Sequence, residues 1–211
     1  MRSMHIKVIF LGALAMFAAG CTTQSTTTAS NTATVPAVET PTPAATASPE
    51  RKAGELDVPY VPTPQVVVDE MLRMAKVSGK DVLYDLGSGD GRIPITAAKR
   101  FGTRGVGIDL NPVRVEEANA NAEKEKVTDK VKFIEGDIFT ENFSEATVVT
   151  LYLLPAVNLR LKSTILDMKP GTRVVSHNYD MGDWTPEDSK KITTDDGVVH
   201  YVYFWTVPEK K

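Results

Sequence analysis

The stretch Asp85-Leu86-Gly87-Ser88-Gly89-Asp90-Gly91-Arg92 constrains this chain more than any other. An apolar run, Val82–Leu86, leads into it, and a short helical pattern, Ile93–Phe101, leads out, with Pro94 tolerated in the first turn. Glycines in such a loop let the backbone turn sharply and leave no Cβ in the way of a ligand. Strand and helix signals then keep alternating. Gly105–Leu110 reads as a strand, and Pro112–Lys126 as a helix capped by Asn111 with Pro112 at its first position. Val131–Ile134 and Thr147–Leu154 read as strands, Ala156–Met168 as a helix stopped by Pro170-Gly171, and Arg173–Ser176 as a strand. Upstream, Val58–Pro64 is a proline-punctuated extended segment. It leads into a predicted helix, Gln65–Val77, with Thr63 as N-cap, Pro64 in the first turn, and Val67, Met71, Met74 and Ala75 on one face. Gly79 is expected to end that helix. Ile192–Thr194 and Val198–Val207 flank Asp195-Asp196-Gly197, a tight hairpin signal. Together these imply an α/β fold, doubly wound, with a mostly parallel sheet and an antiparallel C-terminal hairpin strand.

The chemistry of the glycine loop narrows the ligand. The pattern is Gly-x-Gly-x-Gly, its third glycine one place earlier than in the dinucleotide fingerprint. A nicotinamide cofactor brings a pyrophosphate to this position. Asp85 and Asp90 bracket the loop and are poor company for a pyrophosphate, but they suit a ligand with an ammonium and a sulfonium, as S-adenosylmethionine has. Asp109, about twenty residues beyond the glycines, stands at the next strand end in Val106-Gly107-Ile108-Asp109-Leu110-Asn111, where an acid can accept from ribose hydroxyls. Asp137, in Glu135-Gly136-Asp137-Ile138, can receive an adenine amino group while Ile138 packs on the ring. Each acid alone reads equally well as a surface Asp at a strand end. Three at successive strand C-termini occupy the edge at which open α/β sheets bind ligands.

The first residues differ from the rest. Arg2, His5 and Lys7 precede a short apolar run, Val8–Ala19, then Ala18-Ala19-Gly20-Cys21. This is the pattern of a secretory signal, and the run falls short of the about 20 residues a bilayer-spanning helix needs. The end of it resembles a bacterial lipobox, with Ala18 where leucine is usual; the alternative is a plain signal anchor with an incidental cysteine. The resemblance implies a lipidated Cys21 as the mature N-terminus and an anchored lipoprotein on the envelope side of the membrane. Residues 1–21 are thus read as leader, residues 22–55 as a flexible Thr/Ala/Ser/Pro-rich tether, and 56–211 as the folded domain. One cysteine excludes an intramolecular disulfide, and a net charge of -3 lacks the basic excess of a nucleic-acid binder.

A parallel sheet with a C-terminal hairpin is the layout of the class I, seven-strand methyltransferases, whose fold is Rossmann-like. Within that class the chain resembles the protein lysine methyltransferases that include a broad-specificity archaeal enzyme and mitochondrial enzymes acting on the ATP synthase c subunit and the adenine nucleotide translocase. The resemblance rests on Tyr60-Val61-Pro62-Thr63-Pro64, on Tyr84 through Arg92, on Ser144 through Pro155, and on Pro170 through His177 running on to Trp184 and Pro186. It covers about residues 58 to 207. Ser88 stands where Cys is frequent and Asp109 where Glu is frequent, and family members need no lipoprotein leader. The resemblance implies that Tyr60 and Thr63 fold over S-adenosylmethionine. Asp85, Gly87, Gly89 and Asp90 would hold its methionine end, Asp109 its ribose and Asp137 its adenine. Ser88, Gly91, Leu110, Asn111, Ile138 and Leu154 would complete the cofactor set. Tyr152, Leu154 and Pro155 would line the mouth where donor and acceptor meet, and His177, Tyr179 and Trp184 would shape the acceptor channel. Ordinary packing is the alternative for Tyr152 and Trp184, and a hydrogen-bonded strand end for His177.

The implied reaction is an in-line displacement that leaves S-adenosyl-L-homocysteine, with positioning as the main contribution of the protein. An acceptor lysine has to be neutral, which costs roughly 4 to 5 kcal/mol at pH 7. A dry channel beside a sulfonium lowers that cost. No acid–base pair and no metal site stand out. Enzymes acting on amide or base nitrogens carry Asn/Asp-Pro-Pro-aromatic after the fourth strand, where this chain has Leu153-Leu154-Pro155-Ala156. The expected partner is a protein with an accessible lysine, met by a monomeric domain. Three alternatives stay open: a small-molecule amine acceptor, a nicotinamide dehydrogenase, and an exported lipoprotein that keeps the fold only as a binding module. Export sits uneasily with a cofactor supplied in the cytoplasm.

Overall fold

The computed structural model describes residues 60–210. The leader, the tether and the first residues of the expected domain lie outside the described residues. The described chain runs α1 (Gln65–Met74), β1 (Val82–Leu86), α2 (Arg92–Phe101), β2 (Arg104–Asp109), α3 (Pro112–Glu125), β3 (Val131–Glu135), β4 (Val148–Leu151), α4 (Pro155–Leu166), β5 (Arg173–His177), β6 (Asp188–Thr193) and β7 (Val199–Thr206). The strands form one seven-stranded sheet in the order β3-β2-β1-β4-β5-β7-β6. The five strands from β3 to β5 are parallel, and β7 and β6 add antiparallel.

Helices cover both faces, so the central strands carry no polar side. β1 and β4 are buried at every position. On one face α4 buries Val157, Leu161 and Ile165 among Tyr84, Leu86, Val149 and Trp205. On the other, α1 lays Val67, Val68, Met71 and Leu72 against Leu83, Val148 and Val175. Chain order runs outward from β1 to β3 in one direction and from β4 to β5 in the other. The reversal opens a crevice above the C-terminal ends of β1 and β4, which is where such sheets bind ligands.

The element ends correct several expectations. Thr63 does not cap α1. Pro64 is extended and its carbonyl accepts from the Val67 and Val68 amides at 2.9 and 3.0 Å, while the Thr63 hydroxyl goes elsewhere. α1 stops at Met74, well before Gly79, because Lys76 takes a left-handed conformation (φ 49°) and turns the chain. Asn111 does cap α3, accepting from the Val113 amide at 3.0 Å. β4 is shorter than expected: Leu154 becomes the N-cap of α4 and Pro155 its first residue. β6 begins four residues before the predicted Ile192. It is the exposed edge strand, so Asp188-Ser189-Lys190-Lys191 has no buried face to impose alternation.

Candidate functional site

A cleft enclosing about 1180 Å³, open mouth included, lies at this crevice under the segment 60–63. The glycine loop forms its floor. Gly89 (φ 53°) lies directly beneath the Tyr60 ring, and a Cβ there would sit 2.5 Å from Tyr60 Cε2. Asp85, Gly87, Ser88, Gly89 and Asp90 line this end of the cleft. Gly91 does not: it starts α2 in a left-handed conformation (φ 77°), and a Cβ on it would lie 2.5 Å from the Phe133 ring, so close packing explains it.

The acids at the strand ends have different partners. Asp85 is buried, and its side chain accepts from the Thr150 hydroxyl at 2.7 Å, across the β1–β4 pairing, with no second hydrogen-bond partner among the described residues. Burial pushes its carboxyl up to about 7; Thr150 opposes this, and Asp109 and Asp90 add to it. Asp109 accepts from the Gly89 amide at 2.8 Å and the Asn111 amide at 2.9 Å, which folds the loop back onto β2. Asp90 is gripped by Arg92, Nε to Oδ1 at 2.9 Å and Nη2 to Oδ2 at 2.6 Å. Burial raises the Asp90 carboxyl, but the Arg92 bonds outweigh it and hold it below its usual value. Asp137, with Leu110, Asn111 and Ile138, lines the far end, its Oδ1 accepting from the Phe139 amide at 3.0 Å.

The arm over the cleft is held from two directions. Arg92 Nη1 donates to the Thr63 carbonyl at 2.8 Å. The Arg114 guanidinium lies 4.6 Å from the Tyr60 ring centroid. The Tyr60 phenol lies near the Asp90 carboxylate, and burial, with that acid's charge, raises the phenol above its usual pKa. Sequence patterns alone do not reveal the roles of Arg92, Arg114 and Thr150. Arg92 is visible as a cation directly after the acidic loop, whereas Thr150 becomes a partner of Asp85 only through strand pairing.

Tyr152, Leu154 and Tyr179 line the other wall. The Tyr152 ring lies 3.8 Å from the His177 ring and 6.3 Å, nearly parallel, from Tyr179. His177 is fully buried behind Tyr152 and does not line the cleft. Burial, with His200 beside it, pushes the imidazole down to about 3. Trp184 also lies away from the cleft. Its ring packs 5.8 Å from Trp205 and its carbonyl accepts from Trp205 Nε1 at 2.7 Å, so packing accounts for it and it does not shape the channel.

Comparisons with known proteins agree with this geometry. The family model of the ANTKMT methyltransferase domain matches residues 85–188. Over 156 residues the chain is 49% identical to a protein-lysine N-methyltransferase of Saccharolobus islandicus (strain REY15A), covering 73% of this chain and 96% of that protein. It is 33% identical over 134 residues to the adenine nucleotide translocase lysine N-methyltransferase of Mus musculus, covering 62% of this chain and 57% of that one, so it spans little more than half the length of that relative. Among solved structures, an RNA methyltransferase from Salinibacter ruber in complex with S-adenosyl-L-homocysteine superposes with a TM-score of 0.68 at 52% identity, over 72% of this chain and 96% of that one.

Proposed function

The chain belongs to the protein-lysine N-methyltransferase family, and on that premise we propose that it methylates lysine side-chain amines of a protein substrate, with Tyr152 and Tyr179 forming the acceptor mouth. It is an S-adenosylmethionine-dependent methyltransferase. The residues of the cleft fit that cofactor. Asp85 is a buried carboxylate whose partner is a hydroxyl, and so suits an ammonium. Asp109 keeps lone pairs free for ribose hydroxyls, and Ile138 with Leu110 offers an apolar bed beside Asp137 for adenine. Bound there, the cofactor supplies a methyl group activated on a sulfonium.

The chain itself contributes binding, orientation and exclusion of water. Tyr60 to Thr63, latched by Arg92, covers the glycine loop. Tyr152 and Tyr179 line the wall of the cleft side by side, so a lysine passing along them sheds water and its ammonium form is disfavoured. The single observation that carries the acceptor reading is the charge of the cleft. Four carboxylates line it against two guanidiniums, and both guanidiniums are engaged, Arg92 with Asp90 and Arg114 with Glu117 at 2.5 Å. A polyanion finds no free cation among the described lining residues, whereas the acids, committed to the cofactor and the loop, do not repel an amine.

A second reading, RNA as acceptor, is favoured by the name of the 52% identical Salinibacter protein. One experiment separates them. The full chain is incubated with methyl-labelled S-adenosylmethionine and a cell extract, and the labelled residue is identified by mass spectrometry, with and without ribonuclease. Label on lysine side chains is the expected result. Label confined to ribonuclease-sensitive material refutes the lysine acceptor. We further propose that the protein acts as a monomer anchored through a lipidated Cys21 on the envelope side, on the strength of Ala18-Ala19-Gly20-Cys21 after a short apolar run. Labelled palmitate should enter the wild-type chain and not Cys21→Ser; equal labelling of both rejects the anchor.

A further inference from the structure

His200 lies on β7, buried and outside the cleft, and the proposed reaction has no use for it. Its Nδ1 is 2.9 Å from His177 Nε2, while the other nitrogen of His177, Nδ1, is 3.1 Å from Thr63 Oγ1. The His177 ring in turn backs the Tyr152 ring at 3.8 Å. A continuous chain of contacts therefore runs from β7 to both the arm over the cleft and the acceptor mouth. Arg92 holds the carbonyl of the same Thr63 whose hydroxyl meets His177, so the arm is pinned at one residue from two sides.

A neutral imidazole has one N–H and one bare nitrogen, so what happens at one nitrogen fixes the role of the other. The burial that keeps His177 neutral makes this strict. The bond at Nε2 thereby decides whether Nδ1 donates to the Thr63 hydroxyl or accepts from it. We infer that His200 is a positioning residue. Acting through His177, it sets the Thr63 end of the arm and the Tyr152 ring together, so that cover over the cofactor and the geometry of the acceptor mouth are established as one unit. The inference rests on the methyltransferase reading of the cleft.

The test uses the full chain, its His200→Leu variant, and His200→Asn, whose side-chain amide can stand where Nδ1 stands. Three quantities are measured: S-adenosyl-L-homocysteine affinity by calorimetry, kcat per cofactor-binding site on poly-L-lysine, and the NMR signals of the His177 imidazole and the Tyr152 ring. In His200→Leu, affinity should fall about threefold as the Thr63 end of the arm loosens, and kcat per cofactor-binding site should fall about tenfold or more, since small misplacements at a reacting centre cost this much. The His177 nitrogens should lose their single-tautomer shifts and the Tyr152 ring signals should move. His200→Asn should restore both. Should His200→Leu fail to fold, Thr63→Val breaks the same chain at its other end and Thr63→Ser restores it. A lower Tm with unchanged kcat per site, or unchanged His177 and Tyr152 signals, overturns the inference and leaves a structural histidine pair. If the wild-type chain labels no lysine either in poly-L-lysine or in the cell extract, the acceptor reading alone fails, and kcat per site is read on whatever acceptor the extract labels; an unchanged value there overturns the positioning inference.

Discussion

Replacing Asp85 by Asn should make the ligand-free protein more stable at alkaline pH and weaken its affinity for cofactor. Asp85 is buried against a hydroxyl partner, and its carboxyl is pushed from the usual 3.8 up to about 7. A raised carboxyl pKa means that the fold binds the proton more tightly than the unfolded chain does. The associated stability is therefore complete below the unfolded pKa and is lost as pH rises through the folded one. A shift of about 3 units corresponds to about 4 kcal/mol, of which about 3 kcal/mol should disappear between pH 5 and pH 8.5. Asn has no proton to lose. Urea unfolding of wild type and Asp85→Asn at the two pH values isolates the effect, because titrating groups that do not interact with Asp85 cancel in the comparison and Asp109 and Asp90 are ionised at both values. The variant should gain about 3 kcal/mol on the wild type over that interval. At pH 8.5, calorimetry with S-adenosyl-L-homocysteine should show affinity falling about tenfold to a hundredfold, the worth of a charge-assisted bond. At pH 6, where Asp85 is mostly protonated in the free protein, binding to wild type should release up to one proton, seen as a dependence of the heat on buffer ionisation enthalpy. A stability gap that does not grow with pH, or affinity unaffected by the substitution, refutes the view of Asp85 as the seat of the ammonium.

Other perturbations read the remaining parts. Arg92→Ala frees Asp90 and the Thr63 carbonyl together, so calorimetry should find cofactor affinity about tenfold to a hundredfold weaker, at about 1.5 to 3 kcal/mol for bonds to charged groups; unchanged affinity would show that the arm closes without its latch. Gly91→Ala drives a Cβ into Phe133 and Ala118 and should lose about 1 to 3 kcal/mol in urea unfolding, whereas Gly89→Ala meets only the Tyr60 ring and should weaken binding more than folding. His177 is held neutral with its pKa depressed from 6.5 to about 3, so its stability is present above the unfolded value and lost as pH falls toward the folded one. Relative to His177→Phe, wild type should lose about 3 kcal/mol between pH 7 and pH 4.5, read by denaturant titration; parallel curves would mean that the imidazole does titrate in the fold.

Much of this molecule was legible in the chain because its central strands announce themselves. Val82–Leu86 and Val148–Leu151 are apolar nearly throughout since helices cover both faces. β6 announced only its last residues, because an exposed edge strand obeys pairing with β7 and no buried face. Site acids were readable from position: Asp85, Asp109 and Asp137 lie at or just beyond strand ends at the crevice. Their partners were not. Thr150 meets Asp85, and His200 meets His177, through registers that local patterns do not encode. Trp184 failed as a channel residue because a large aromatic near a site sequence packs wherever volume is available, here on Trp205. Thr63 failed as a cap because Pro64 delays the helix by one residue, which frees its hydroxyl for His177.

The proposed orientation of the cofactor follows from how each acid's charge is met. Asp90 already has a guanidinium, so it serves the architecture of the loop and has little attraction left to offer. Asp109 has two backbone amides, which keep it ionised and aimed while leaving lone pairs for neutral hydroxyls. Asp85 has a hydroxyl and a raised pKa: its charge is the one the fold leaves without compensation. A cationic group arriving beside it recovers energy that burial has withheld, whereas an anionic pyrophosphate there would meet repulsion from Asp85 with no free cation among the described lining residues. The same difference that separates three chemically identical side chains thus gives the cleft a direction, ammonium at the β1 end and neutral sugar at the β2 end. It also disfavours the dinucleotides that the superficially similar glycine spacing would otherwise admit.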